Sequence, residues 1–464
     1  MTRSRWTFRL IFASQFFLLL AGIRQCFAHP CQKQPSTKIA TRSFANTKSG
    51  RPKIGKCRRQ PLNPAARNSF SNISSVALFP RDRIAAMIRD RSVLLNVSAT
   101  KAIMFHRFCA GNSRHELKTL FGMHDLLRAP ATDPTPIYRY RDGLYAADLL
   151  TAAIVQLDFF TWLAKNPSTF DQICSGLELK SRPTDVMLTL FTAMGYIENR
   201  SGIFQITPLG REHLVKDSPF YVGPYYASLK DRPVCKDMLS ALRTDRVANW
   251  GSFKDGQAWA KAMEDETFAN NFTAAMNCRG VYLGQAVAKS LDLSSRRKLL
   301  DIGGGSGIYA CSLVAHFKNL HAAVFEKPPV DKVAQRAIAT CGYTDRVQVI
   351  ADDMFKEALP TGFDVHLISN VLHDWDVPEV RKILRASASA LAPGGLLIIH
   401  DAWINENKTG PLPVAAYSAM LMHSTEGKCY STGEMREFLT ELGLSDFTFK
   451  ETAADRGIVT AIKP

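Results

Sequence analysis

The stretch LLDIGGGSGIYACSLV, residues 299–314, decides the fold of this chain. A short apolar run ends on Asp301, four glycines fall within five positions, and a helical pattern follows. A strand that breaks into a glycine-rich turn and re-enters a helix is the βα unit that cradles nucleotide-like ligands. Working outward, strand-like runs occupy 298–302, 322–326, 347–351, 363–369 and 396–401, with helical stretches between them. That alternation predicts a parallel α/β sheet. The chain ends differently: FTFKETAADRGIVTAIKP (447–464) reads as two strands joined by a short turn. An antiparallel hairpin closing a parallel sheet separates this fold from the usual dinucleotide-binding one.

Three details bear on what the glycine loop holds. Gly303, Gly305 and Gly307 give G-x-G-x-G, whereas the dinucleotide fingerprint wants its third small residue where Ile308 stands. No G-K-[ST] follows, which excludes a phosphate-gripping P-loop. Asp301 before the glycines would repel a pyrophosphate but suits a ligand with a positive amine. S-adenosylmethionine is such a ligand. Glu326 follows Gly303 by 23 residues, the place of an acid that bonds ribose hydroxyls, and Asp352 and Asp353 end the third strand. Asp352 and Asp353 are there placed to hydrogen-bond the adenine or its ribose; the alternative is that these carboxylates are strand-end caps and turn formers.

The net charge of +16 over 464 residues belongs to one end. Residues 1–81 hold fifteen Lys and Arg and no Asp or Glu, leaving 43 basic against 42 acidic residues for the other 383. A nucleic-acid-binding body would carry its own positive field, and this one does not. The leader has a signal-like part (1–28), with the apolar run LIFASQFFLLLAGI, and a transit-like part (29–81) rich in Ser, Thr, Lys and Arg. Together they resemble a two-part plastid-targeting leader. A secretory signal, or a misplaced start upstream of a cytoplasmic protein, are the alternatives. Fourteen apolar residues are too few to span a bilayer comfortably, so no stable membrane insertion of the mature body is expected. Ten cysteines show no C-x-x-C pair, and seven lie in the body, so neither a disulfide framework nor a metal site is expected.

Residues 82–134 read as short helices or linker, and PATDPTPIY marks a boundary. From 135 to 235 the pattern is a long helix (143–164), two shorter ones and a hairpin turning at Ser201-Gly202, in the order of a winged helix. Its recognition-helix candidate, 183–197, contains Asp185 and no Lys or Arg, with Lys180 and Arg182 just before it. A groove-reading helix needs outward basic and amide side chains, so burial against protein is the better reading and no nucleic-acid partner is expected. Residues 236–464 then form the α/β domain.

In this region the chain resembles the small-molecule O-methyltransferases of the caffeate and hydroxyindole type. The resemblance covers about 140–464 and rests on LLDIGGGSG, VFEKP, ADDMF, ISNVLHDWD, ALAPGGLLIIHDAWINENKTGPL and TEGKCYSTGEMREFLTELGL, in the family's order. It implies a winged-helix dimerisation domain, a Rossmann-like methyltransferase domain, a homodimer, S-adenosylmethionine as cofactor and a small-molecule acceptor. Within HDW it makes His373 the general base, a task that suits a group titrating near neutrality. It makes Asp401 the carboxylate orienting that base, Asp374 a substrate-side contact, and Met354 and Trp375 contacts of the cofactor. Phe272 and Met276 match an acceptor-pocket helix, though apolar packing also explains them. Two departures stand out: Ser369 replaces a cofactor-contacting Lys, and Cys429 replaces a second orienting Glu, for which Glu426 is the expected substitute. Carbon methylation, a non-methylating relative, and a regulator sensing the cofactor are the competing readings.

Overall fold

A computed structural model describes residues 126–247, 265–355 and 358–464. The expected leader, and nearly all of the 82–134 stretch, lie outside the described residues. The N-terminal part begins with α1 (Thr135–Asp142) and α2 (Ala146–Thr151), which runs into a π-turn at Ala152–Gln156. Then come α3 (Phe159–Lys165), α4 (Phe170–Gly176), α5 (Ser181–Ala193) and the hairpin of β1 (Ile197–Arg200) and β2 (Ile203–Ile206). Helices α6 (Pro208–Leu214), α7 (Gly223–Ala227) and α8 (Pro233–Thr244) complete it. The single helix expected over 143–164 is in fact broken. Asp158 takes a left-handed φ of 51°, which a right-handed helix cannot continue through, and the chain bends by 60° there. Beyond the bend Phe159 and Phe160 both go into the core, with ring centroids 5.8 and 5.0 Å from Phe191. Burial of each such ring contributes on the order of 1.5–3 kcal/mol.

The α/β part opens with α9 (Glu266–Ser290), started by Asp265, whose carboxylate accepts the Phe268 N–H at 2.7 Å. It continues through β3 (Lys298–Ile302), α10 (Ile308–His316), β4 (His321–Glu326), α11 (Val330–Cys341), β5 (Val347–Ala351) and β6 (Val365–Ser369). A 3₁₀ turn (Leu372–Asp374), α12 (Val377–Ala390), β7 (Leu396–Asp401), α13 (Leu412–Ser424), α14 (Thr432–Glu441), β8 (Ser445–Glu451) and β9 (Gly457–Ile462) follow. All five expected parallel strands and the closing hairpin are present, in the order β5-β4-β3-β6-β7-β9-β8. The direction of winding reverses between β3 and β6, and in such sheets ligands sit at the carboxyl ends beside that point.

Ile308, too large for the dinucleotide fingerprint, has its space supplied from outside. A Cβ on Gly280 of α9 would overlap its side chain, and one on Gly284 would crowd Ser312. Two glycines one turn apart let α9 and α10 approach closely. The expected boundary at 235/236 falls inside α8, whose Cys235, Met238, Ala241 and Leu242 are buried in the N-terminal core. That core also takes Val414, Ala415, Leu421 and Met422 from α13, so the N-terminal helices close over a helix of the C-terminal half.

Candidate active site

The β3–α10 turn is made by glycines whose backbone conformation disfavours a side chain. Gly303 and Gly305 have φ of 66° and 56°, a region L-residues seldom adopt. Gly305 donates its N–H to Glu326 Oε2 at 2.8 Å, and Glu326 Oε1 accepts the Lys327 N–H at the same distance. Asp301 corrects its expectation: it does not face a ligand. It is fully buried beneath Gly304, where an added Cβ would meet its carboxylate, and neither oxygen has a hydrogen-bond partner of good geometry. Burial, with the charge of Glu326 second, pushes its pKa up to about 7, and burial does the same for Glu326. A cationic occupant of the space beside the turn would favour the charged form of both carboxyl groups, Asp301 beneath the turn and Glu326 at its side.

In front lies a cavity of about 530 Å³. It brings together Gly303, Gly305, Glu326, Asp352, Asp353, Met354, Ser369, Asp374 and Trp375, with Phe272 and Met276 from α9. Asp352 and Asp353 border the cavity, and they also accept the N–H groups of Asp353 and Phe355 in their own turn. Trp375 meets Phe355 edge-on at 4.5 Å, forming an aromatic wall suited to a nucleobase. Sequence reasoning missed Arg279, which reaches the cavity from α9; its Nη1 lies 3.5 Å from the Tyr417 hydroxyl, and no described carboxylate pairs with it. A single arginine in an apolar helix, AMNCRGVYLG, was the available signal. An acid for ribose hydroxyls, an aromatic wall, a cation for a carboxylate and a buried acid beneath a bare loop fit S-adenosylmethionine. Among the described residues no His, Cys, Asp and Glu cluster would hold a metal ion.

His373 sits in the 3₁₀ turn between β6 and α12. Asp376 ends that turn by capping α12, accepting the Val377 N–H at 2.8 Å, with Pro378 in the first helical turn. The imidazole is buried; its Nδ1 is 2.5 Å from Asp401 Oδ1 and its Nε2 3.6 Å from Asp374 Oδ1. The Tyr417 ring meets it edge-on at 5.7 Å. Burial opposes a charge on His373, yet Asp401 above all, with Tyr417 and Asp374, pushes its pKa up to about 10. Burial would raise Asp401, but the imidazole beside it and the Ala402 N–H hold its carboxyl below the usual range. Both shifts favour the pair of imidazolium and carboxylate.

A second carboxylate at the ring is that of Asp374, near Nε2. Glu426 is buried on the 425–430 segment behind the turn. Cys429 cannot replace a carboxylate, because burial pushes its thiol pKa well up and keeps it neutral. Ser369 borders the cavity as expected, its Oγ 2.9 Å from His400 Nδ1. Next to it Asn370, also missed, has a left-handed φ of 53° and donates to the Tyr309 hydroxyl at 3.0 Å, while its Oδ1 is buried without a partner.

A sheet closed by an antiparallel hairpin, a glycine-turn cavity fitted to S-adenosylmethionine and a buried histidine–carboxylate pair in the adjoining turn are the features of an S-adenosylmethionine-dependent methyltransferase. Residues 236–445 match the family model of the O-methyltransferase domain. The 3-hydroxy-5-methyl-1-naphthoate 3-O-methyltransferase of Streptomyces sahachiroi is 30% identical over 335 residues, covering 71% of this chain and 95% of that one. The L-tyrosine C(3)-methyltransferase of Streptomyces lavendulae is 28% identical, covering 66% and 86%. The solved O-methyltransferase family 2 protein of Planctomyces limnophilus DSM 3776, in complex with apigenin, is 32% identical with a TM-score of 0.66, covering 74% of this chain and 99% of that one. The chain belongs to the O-methyltransferase family and is an S-adenosylmethionine-dependent enzyme of that kind.

Proposed function

We propose that the acceptor is a small aromatic bearing a phenolic hydroxyl, methylated on oxygen with His373 as general base and Asp401 as its orienting partner. The observation that carries this reading is the 2.5 Å contact of His373 with Asp401, in the turn whose next residues, Asp374 and Trp375, line the cavity. Gly303, Gly305, Glu326, Asp352, Asp353, Met354, Ser369, Trp375 and Arg279 would hold the cofactor. Bound there, it supplies an electron-poor methyl group. His373 Nε2 receives the hydroxyl proton as the oxygen attacks, and Asp401 stabilises the imidazolium. Holding the oxygen in line supplies most of the rate, on the order of 7–11 kcal/mol at best. Phe272 and Met276 would form the apolar side of the acceptor site. The naphthoate relative and the apigenin complex support an aromatic acceptor.

The test is transfer from S-adenosylmethionine to apigenin and to hydroxynaphthoates by the full chain, with products read by mass and NMR. An O-methyl product, with kcat lowered by about 10²–10⁴ in His373→Ala and S-adenosylhomocysteine affinity unchanged, is expected. A C-methyl product, or full activity in His373→Ala, overturns the reading. We infer further that 135–235 acts as a winged-helix dimerisation unit, supported by its helix and hairpin order and by exposed Ile137 and Tyr140 on α1 (75% and 88%). A monomer in sedimentation would refute it. The plastid reading of residues 1–81 rests on composition, and a fluorescent fusion that stains the cytosol or secretory pathway would refute that.

A further inference from the structure

Two charged side chains of α5, Arg182 and Asp185, reach the other half of the protein. The helix starts at Ser181, two residues before the candidate recognition helix, and so includes Arg182 in its first turn. Arg182 is buried; its Nη1 donates to the Gly427 carbonyl at 2.7 Å and lies 3.5 Å from that of Thr425, while its Nε pairs with Asp245 at 2.8 Å. Its neighbour one turn on, Asp185, holds Lys428 at 2.5 Å and Lys408 at 2.8 Å, and Glu434 contacts both lysines at 2.6 and 3.0 Å. Two residues of one N-terminal helix thus grip residues 425–428.

That segment lies directly on the backbone of the His373 turn. A Cβ on Gly427 would overlap the His373 carbonyl and crowd the Trp375 nitrogen, so the two backbones touch with no side chain between. The Thr425 hydroxyl lies 3.5 Å from the His373 carbonyl oxygen, and the Tyr430 hydroxyl donates to the Trp375 carbonyl at 2.7 Å. The ring of His373 is fixed in front by Asp401, and its backbone is fixed behind by 425–430. Nothing but the grip of α5 anchors residues 425 and 427 by their carbonyls among the bonds described for them.

We infer that Arg182 is a positioning residue for His373, holding the catalytic turn from the N-terminal unit through the carbonyls of residues 425 and 427. The inference rests on the reading of His373 as the base. It gives the N-terminal helices a part in the chemistry: whatever shifts α5 shifts the imidazole.

The test is acylation of the full chain by diethyl pyrocarbonate, which attacks neutral imidazole, with the rates at His373, His366 and His400 read from the same digest. In Arg182→Ala the pair with Asp401 loosens, and a fall of about one pKa unit raises the neutral fraction, and hence the His373 rate, about tenfold. His366 and His400 stay at their wild-type rates. Arg182→Lys, which keeps the charge and one donor, gives an intermediate rate. If the alanine variant does not fold, judged by S-adenosylhomocysteine titration, the lysine variant alone decides. A His373 rate equal to wild type overturns the inference, and so does an equal rise at all three histidines, which would mark general loosening. The readout needs no methyl transfer, so failure of the base reading, an active His373→Ala enzyme, is scored separately.

Discussion

His373 and His400 occupy two regions that share a neighbour and behave oppositely. Both are buried, His400 is bonded to Asp401 in sequence, and His373 touches Asp401 in space. Yet His373 is pushed up to about 10 and His400 down to about 3. Burial disfavours charge on each. At His373 it is overcome by a carboxylate at each ring nitrogen. At His400 the ring lies between the Ser369 hydroxyl, the Thr452 hydroxyl at 3.5 Å and Tyr309, with Arg456 and Arg279 adding positive charge, so burial prevails. Of these two histidines one is placed to hold a proton and the other to give it up, and only the first is next in sequence to cavity-lining residues, Asp374 and Trp375.

The largest expected break of this contrast is Asp401→Asn. It leaves a hydrogen-bonding group at Nδ1 but removes the charge that fixes the tautomer and stabilises the imidazolium as it forms. Although more of the ring is then neutral at pH 7, kcat compared at a pH where both rings are neutral should fall by about 10²–10⁴. Initial rates with a fixed acceptor check it, and a loss under threefold would show the pair to be dispensable. Next in size is the pH profile of the wild type. A base protonated up to about pH 10 is productive only in its minority neutral form. kcat/KM should therefore climb about tenfold per pH unit from pH 7 toward 10. A plateau from pH 6.5 upward would mean that the pair does not hold the proton in solution.

What the sequence revealed and what it hid divide along the same line. The glycine turn, the five parallel strands and the closing hairpin were legible because periodicity and glycine placement are local signals. His373 and Asp401 were legible through motif resemblance, each at a strand end. The position of Asp301 was not, because a carboxylate in front of a glycine turn and one beneath it are spelled identically. The place of Asp374 near Nε2 depends on which way one 3₁₀ turn aims adjacent side chains. Arg182 looked like a loop cation beside a helix, and its partner carbonyls lie 243 and 245 residues away. The break at Asp158 lacks the Pro or Gly that would have announced it. Local conformation is written in neighbouring residues, whereas the electrostatics of this site are written in residues that meet only after folding.

The smallest effect tests the quieter histidine. His400→Asn keeps an acceptor near Ser369 and loses one buried hydrogen bond, so stability at pH 7 should drop by about 1 kcal/mol, with kcat nearly unchanged. The informative part is the pH dependence. Because the folded pKa of His400 lies below the unfolded 6.5, the unfolded chain binds the extra proton, and wild-type stability is lost as pH falls from 6.5 toward 3. His373 has the opposite sign: its folded pKa is raised, so its contribution is fully present below 6.5 and is lost as pH rises through about 10. Melting temperatures from pH 4 to 10 should therefore lose part of their acid slope in His400→Asn and part of their alkaline slope in Asp401→Asn. If both variants flatten the same limb, the two sites do not differ in the way their neighbours dictate.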